Sequence, residues 1–269
     1  MNNEIKPGEF PPLSPEGKKM KRNMNIALVV IVSLFCFIYL EISAASIFTA
    51  GPQLLVFIAN NFMPPNFTHI ATYMSAVLET ILFAVVGTYI AAIMSFVLGL
   101  LMSEQLVPNP FLRYGVRFVV AFFRNIPVLI WASLLVFVFG IGNMVGLIAL
   151  MLATVGFLSR SYAESINEIA GSKLEAMKAS GANWFQLVFH GLIPEFVPAW
   201  LNWTLFSFEI NIRASAILGM VGAGGIGILI QGNLNMRNFR EAASLIIILV
   251  VMVLITEFAV NVIRKKITQ

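Results

Sequence analysis

Residues 161–195 read SYAESINEIAGSKLEAMKASGANWFQLVFHGLIPE, a polar interruption in a chain that is otherwise dominated by apolar runs. Local signals divide this stretch into two short helices. Ser172 and Glu175 have the S-x-x-E spacing in which a hydroxyl and a carboxylate satisfy the free backbone N–H groups of a helix start. Gly181, about two turns later, supplies a left-handed stop. Asn183 with Gln186 repeats the capping pattern for a second helix, expected to run to Gly191 and to end at Pro194. A helix, glycine, helix unit held between membrane-length runs is expected to be a docking surface for a soluble partner.

The composition defines the setting of that unit. The chain has 269 residues, of which 59% are hydrophobic and 11% charged, with a mean hydropathy of +0.88. That exceeds what a soluble domain carries and predicts an all-α integral membrane protein. All thirteen acidic residues are glutamate, so Asp-based metal, Mg-phosphate and protease constellations are excluded. The single Cys36 excludes a disulfide framework and a cysteine metal cluster. His69 and His190 are far apart in sequence and read as surface or interfacial residues, not ligands.

Measured against the roughly 20 residues that cross a bilayer, six transmembrane helices are expected, at 26–41, 77–102, 125–140, 143–159, 200–220 and 242–263. The third is short, and residues 111–123 before it are expected to continue it as one helix kinked near Pro127. The first span, followed by Ser43, Ala44 and Ala45, resembles a signal peptide but is read as retained. Pro7, Pro11, Pro12 and Pro15 predict an irregular preceding tail. Residues 52–61, with Pro52 in the first turn, predict a short interfacial helix. The expected organisation is a tail at 1–24, a first span with an extracytoplasmic segment at 25–72, and a transmembrane domain at 73–266 with a cytoplasmic loop at 160–199.

Orientation follows the basic residues. Lys6, Lys18, Lys19, Lys21, Arg22, Arg113, Arg117, Arg124, Arg160, Lys173, Lys178, Arg264, Lys265 and Lys266 fall on one side in this topology, fourteen of seventeen in all, and none lies between Glu41 and Glu79. Both termini and the polar loop are therefore expected in the cytoplasm. On 111–124, Arg113, Arg117 and Arg124 share one helical face, as expected of an interfacial helix at phospholipid headgroups, with a second partner contact as the alternative.

Glu175, Ala176, Gly181 and Pro194 stand at the spacing of the EAA loop, and the chain resembles permease subunits of binding-protein-dependent ABC importers. It departs from that pattern at Met177, Gly191 and Ile193, where alanine, isoleucine and leucine are commoner. The resemblance implies the type I, methionine-permease-like fold, a pair of permease subunits, two cytoplasmic ATPases, an extracytoplasmic substrate-binding protein, and a bacterial inner-membrane location. It makes Ser172, Lys173, Glu175, Ala176, Met177, Ser180 and Gly181 the candidate ATPase-coupling residues. No cofactor is implied in this chain; ATP belongs to the partner ATPases, and no nucleic acid is involved. The runs FEINIRASAILGMVGAGGIG and FRNIPVLIWA resemble the phosphonate and phosphite branch, with a methionine or other amino-acid permease as the alternative.

Gly222, Gly224 and Gly227 make a literal G-x-G-x-x-G, but that fingerprint needs a strand, a tight turn and a helix, and here it follows a membrane span. The glycines are read instead as permitting close helix approach and an irregular turn along the path. No G-x-x-x-x-G-K-[ST] occurs, so the chain has no P-loop of its own. Glu209 and Arg213, at i and i+4, are candidate path residues together with Gly222, Gly224 and Gly225, or a self-satisfied structural pair. A self-sufficient secondary transporter or channel is the rival from another class; it predicts coupling acids and inverted repeats, and only Glu79, Glu209 and Glu257 lie near span depth.

Overall fold

In hydrocarbon a helix satisfies every backbone group within its own segment, and the apolar runs form long helices accordingly. The structure, a computed structural model, describes residues 15–40, 43–169 and 171–267, without the side chains of residues 15, 16, 44–47 and 172. The proline-rich tail before Pro15 lies outside the described residues. Five helices are long and apolar enough to cross a membrane, or six when one bent pair is taken as a span.

The chain divides into two units between Asn60 and Asn61. The first holds α1 (Pro15–Tyr39) and most of α2 (Ala44–Phe62). On α1 the apolar side chains, among them Val29, Phe35 and Ile38, are exposed. The start of α2 corrects the expectation for 52–61: the helix begins eight residues before Pro52, which sits inside it. Pro52 removes one N–H from the ladder without ending the helix.

The second unit is built around α3 (Ile70–Met102), which packs along α6 (Asn143–Ile169) and α9 (Ile193–Leu218). Ala84, Gly87, Thr88, Ala91, Ala92, Ser95 and Gly99 form its buried face. Small residues of this kind let membrane helices approach closely. A polar clasp joins the three helices at depth: Asn211 on α9 donates to Thr88 Oγ1 at 2.8 Å and to Thr154 Oγ1 at 3.0 Å. Being buried, the amide is costly unless paired, so it also favours this packing over others.

Between α3 and α6, the expected continuous third span is replaced by two helices, α4 (Pro110–Asn125) and α5 (Val128–Phe139), bent by 86°. Pro127 pushes Ile126 into an extended conformation (φ −92, ψ 117), which breaks the helix instead of kinking it. At 12 residues, α5 is about 18 Å long and does not span the hydrocarbon alone. Asn109 caps α4 by accepting from Phe111 N and Leu112 N. Arg113 and Arg117 turn inward, donating to the carbonyls of Val107 at 3.3 Å and Met102 at 3.0 Å, while Phe111, Tyr114, Phe118 and Phe122 are exposed. The Arg117 cation at the Met102 carbonyl complements the C-terminal end of α3.

After α6 come α7 (Ser172–Ala179), α8 (Trp184–Gln186), a π-helical segment Leu187–Leu192, α9, a π-helical turn Gly219–Ala223, α10 (Gly225–Asn235) and α11 (Phe239–Ile267). Pro194 does not end the second loop helix. Helical chain runs from Trp184 to the kink at Gly222, so the helix that carries residues 200–220 begins well before Trp200. The reason is the wide turn ahead of the proline, where Ile193 N–H bonds to Val188 C=O, five residues back. That shift of register accommodates a proline whose own N–H is missing.

Candidate functional site

The helix α7 is short and polar, yet it is fixed to the bundle at several points. Leu174 is 1% exposed and joins a core cluster with Tyr162, Ile166, Leu192 and Phe196. Met177, one turn on, packs against the same cluster. Both rest over Gly191, where a Cβ would approach Leu174 Cδ2 to 2.6 Å and Met177 Sδ to 2.8 Å. Lys173 pairs with Glu195 at the foot of α9. Lys178 Nζ donates to Gln105 C=O at 2.5 Å, tying α7 to the loop between α3 and α4.

The helix stops as expected. Gly181 has φ +82, Ala182 N–H bonds to Met177 C=O at 3.0 Å and Gly181 N–H to Lys178 C=O at 2.9 Å. This 6→1 and 5→2 pair is the Schellman arrangement. Its start differs from expectation. Ser172 is already the first helical residue and Gly171 occupies the cap position. Glu175 N–H bonds to Gly171 C=O, so the helix starts one residue earlier than the S-x-x-E reading places it; the Ser172 side chain lies outside the described residues. The second capping box forms as read, with Gln186 N donating to Asn183 Oδ1 at 2.9 Å and Asn183 N donating to Gln186 Oε1 at 2.8 Å.

Because Leu174 and Met177 face inward, Glu175, Ala176, Ala179 and Ser180 are left outward and exposed. A groove of ≈ 640 Å³ runs beside them, lined by Lys173, Ala176, Met177, Ser180, Gly181 and residues of the following helix. Of the candidate coupling residues, Lys173, Glu175, Ala176, Ser180 and Gly181 are exposed, whereas Met177 turns into the core. Leu174, Gly191 and the Lys173–Glu195 link are what reading for caps overlooked; the i, i+3 apolar pair at 174 and 177 is the signal for them.

The other candidate group does not converge in this way. Arg213 Nη2 donates to Glu209 Oε1 at 2.5 Å, and their side chains are 49% and 13% exposed. Arg213 lines a groove of ≈ 340 Å³ whose other walls, including Ile217, Ile230 and Leu249, are apolar. The glycine run faces elsewhere, onto α3 and α6. Gly222, Gly224 and Gly225 have φ of +101, +88 and +68, and a Cβ on Gly222 would stand 3.0 Å from Ile141. Gly225 N–H bonds to Glu79 Oε2 at 3.0 Å and Ile226 N–H to Thr80 Oγ1 at 2.8 Å. Asn143 Nδ2 donates to Glu79 Oε1. Two side chains of α3 therefore cap α10 from outside, satisfying N–H groups that a run of glycines cannot cap itself. Glu79 holds α3, α6 and α10 together, a role that no local motif announces.

Bilayer-length helices bundled through small residues, with an anchored short helix presented at one end, are the architecture of a multi-pass membrane protein. Residues 95–269 match the family described as the inner membrane component of binding-protein-dependent transport systems, and the chain belongs to that family. It is 29% identical over 241 residues to the phosphite transport system permease protein PtxC of Stutzerimonas stutzeri, covering 90% of this chain and 88% of that protein. It is 32% identical to the phosphate-import permease protein PhnE of Mycolicibacterium smegmatis, covering 86% of this chain and 43% of that protein. Among solved structures, the MetNI methionine ABC transporter in inward-facing conformations matches with a TM-score of 0.67 at 24% identity, over 76% of this chain and 100% of that chain. The fold is that of a type I ABC importer permease.

Proposed function

We propose that this chain is the permease subunit of an ATP-driven importer for a small phosphorus oxyanion such as phosphite, a phosphonate or phosphate. The observation that carries the substrate class is the identity to PtxC across nearly the whole of both chains. In this reading two copies form the pathway, two ATPases dock on the α7 end, and a binding protein delivers substrate at the opposite end. The basic residues gathered at the α7 end support placing that end, and both termini, in the cytoplasm.

Coupling follows from the anchoring of α7. The exposed face of Glu175, Ala176, Ala179 and Ser180 meets the ATPase, while Leu174, Met177 and Lys173 hold the helix to the foot of α9. Helical chain continues from Trp184 to the kink at Gly222, and Asn211 links it to α3 and α6. ATPase closure would displace α7 and α9 together. Glu209 and Arg213, on an open face of the single subunit, contribute to the path between two copies. Gly222, Gly224 and Gly225 shape the end of the path-forming helix through their contacts with α3 and α6.

The test is uptake in proteoliposomes containing the permease, its ATPase and its binding protein. ATP-dependent accumulation of phosphite, methylphosphonate or phosphate is expected. Accumulation of methionine with none of the phosphorus compounds would replace this substrate assignment with the amino-acid one; uptake without ATPase subunits would overturn the importer class itself.

A further inference from the structure

At the α7 end, between α4 and α6, lies a cleft of ≈ 450 Å³ lined by Arg117, Arg124, Arg160, Glu164, Asn167 and the apolar wall of Met102, Val120 and Ala163. Its volume is that of a small-molecule site, in the range of about 300–1,000 Å³. Three guanidinium groups converge on it. Arg117 is held by Glu104 at 3.3 Å and by the Met102 carbonyl, and Arg160 by Glu164 at 2.6 Å. Arg124 has no acidic partner among the described residues, so the cleft keeps one uncompensated positive charge. Asn167 Oδ1 accepts from Glu104 N–H at 3.2 Å, which turns its Nδ2 into an available donor.

The placement is structural, not the chance of a long side chain. Gly156 on α6 lets the α4 backbone seat directly upon it: a Cβ there would stand 2.6 Å from Arg124 N and 2.8 Å from its Cα. The base of Arg124 is therefore fixed at the cleft, and Asn109 and Pro110 set the start of the helix that carries it. Arginine presents a planar fork that matches tetrahedral oxyanions with paired hydrogen bonds. The apolar wall lowers the local dielectric and strengthens that attraction.

We infer that this cleft is a binding site for a phosphate-class oxyanion, with Arg124 as its free charge, Arg117 and Arg160 as pre-positioned donors and Asn167 as a neutral donor. A free phosphate and the headgroup of an anionic phospholipid share this chemistry. The site is separate from the Glu209–Arg213 face and does not depend on which substrate is imported.

The experiment uses the purified permease–ATPase complex. Binding of radiolabelled inorganic phosphate is measured in lipid-free detergent, and retention of phosphatidylglycerol against phosphatidylcholine is measured by native mass spectrometry. Phosphate binding identifies the soluble ligand, and selective phosphatidylglycerol retention identifies the headgroup; either supports the site. Arg124→Gln, and independently Asn167→Asp, should weaken that binding roughly ten- to a hundredfold, as expected for losing one hydrogen bond to a charged group. Arg240→Gln, at the opposite end of the bundle, should leave it unchanged. The proposal is overturned if wild type binds neither ligand, or if both variants assemble and bind as wild type does. It is also overturned if Arg124→Gln releases the ATPase while anion and lipid binding persist, since an acidic protein surface would then occupy the cleft.

Discussion

Leu174 of α7 occupies the space that any side chain at Gly191 would need, with Cδ2 placed 2.6 Å from where a Cβ would stand. The contact joins a helix presented to solvent with the start of the helical chain that becomes α9. Gly191→Ile installs the residue commoner in the EAA pattern, but here it would collide with a side chain that is 1% exposed. Overpacking of this kind costs about 1–3 kcal/mol. The variant should lose ATPase subunits during purification while the permease remains folded, and Gly191→Ala should lose fewer. Equal ATPase retention in both variants and wild type would show that the seat is not needed for docking.

At Gly181 the constraint is conformational. A Cβ there meets nothing within 4 Å, but the backbone stands at φ +82. Gly181→Val should therefore distort the end of α7 and uncouple ATP hydrolysis from uptake, whereas Gly181→Asn, which tolerates this region better, should keep most coupling. Substrate-stimulated ATPase activity in reconstituted vesicles reads the difference, and a fully coupled valine variant would refute the lever.

Glu79→Gln removes the charged acceptor of Gly225 N–H. A loss of roughly 1.5–3 kcal/mol is expected, seen as a lower Tm, with uptake per folded transporter unchanged. Abolished uptake at unchanged Tm would instead make Glu79 a coupling acid and revive the secondary-transporter reading.

For Arg213 two outcomes separate path from pairing. Arg213→Gln should reduce uptake with assembly intact. If the arginine serves only to neutralise Glu209, the double variant Glu209→Gln, Arg213→Gln would recover most of the lost activity; persistent loss in the double variant supports the path role.

Orientation is checked by thiol labelling in a Cys36→Ser background. A cysteine at Asn66 should react with an impermeant reagent outside intact cells, and one at Ser180 should be protected until the membrane is opened. The reverse pattern would place α7 and its ATPase partners on the wrong side.

What the sequence determined by itself were the features written in short windows. The apolar runs specify membrane-length helices because the bilayer leaves few alternatives for the backbone. The stop at Gly181 and the capping box at Asn183 follow from hydrogen bonds within three to five residues. Tertiary structure decided the rest. Pro194 reads as a terminator, yet the π turn ahead of it lets the helix continue, and Pro127 reads as a kink yet marks an 86° bend. Glu79 reads as an acid at span depth, and only packing across 146 residues brings it to the amide of Gly225. The physical reason is the range of the interactions: caps and spans are settled by neighbours along the chain, whereas the seat of α7 on Gly191, the cap on α10 and the cleft around Arg124 exist only where separate helices meet.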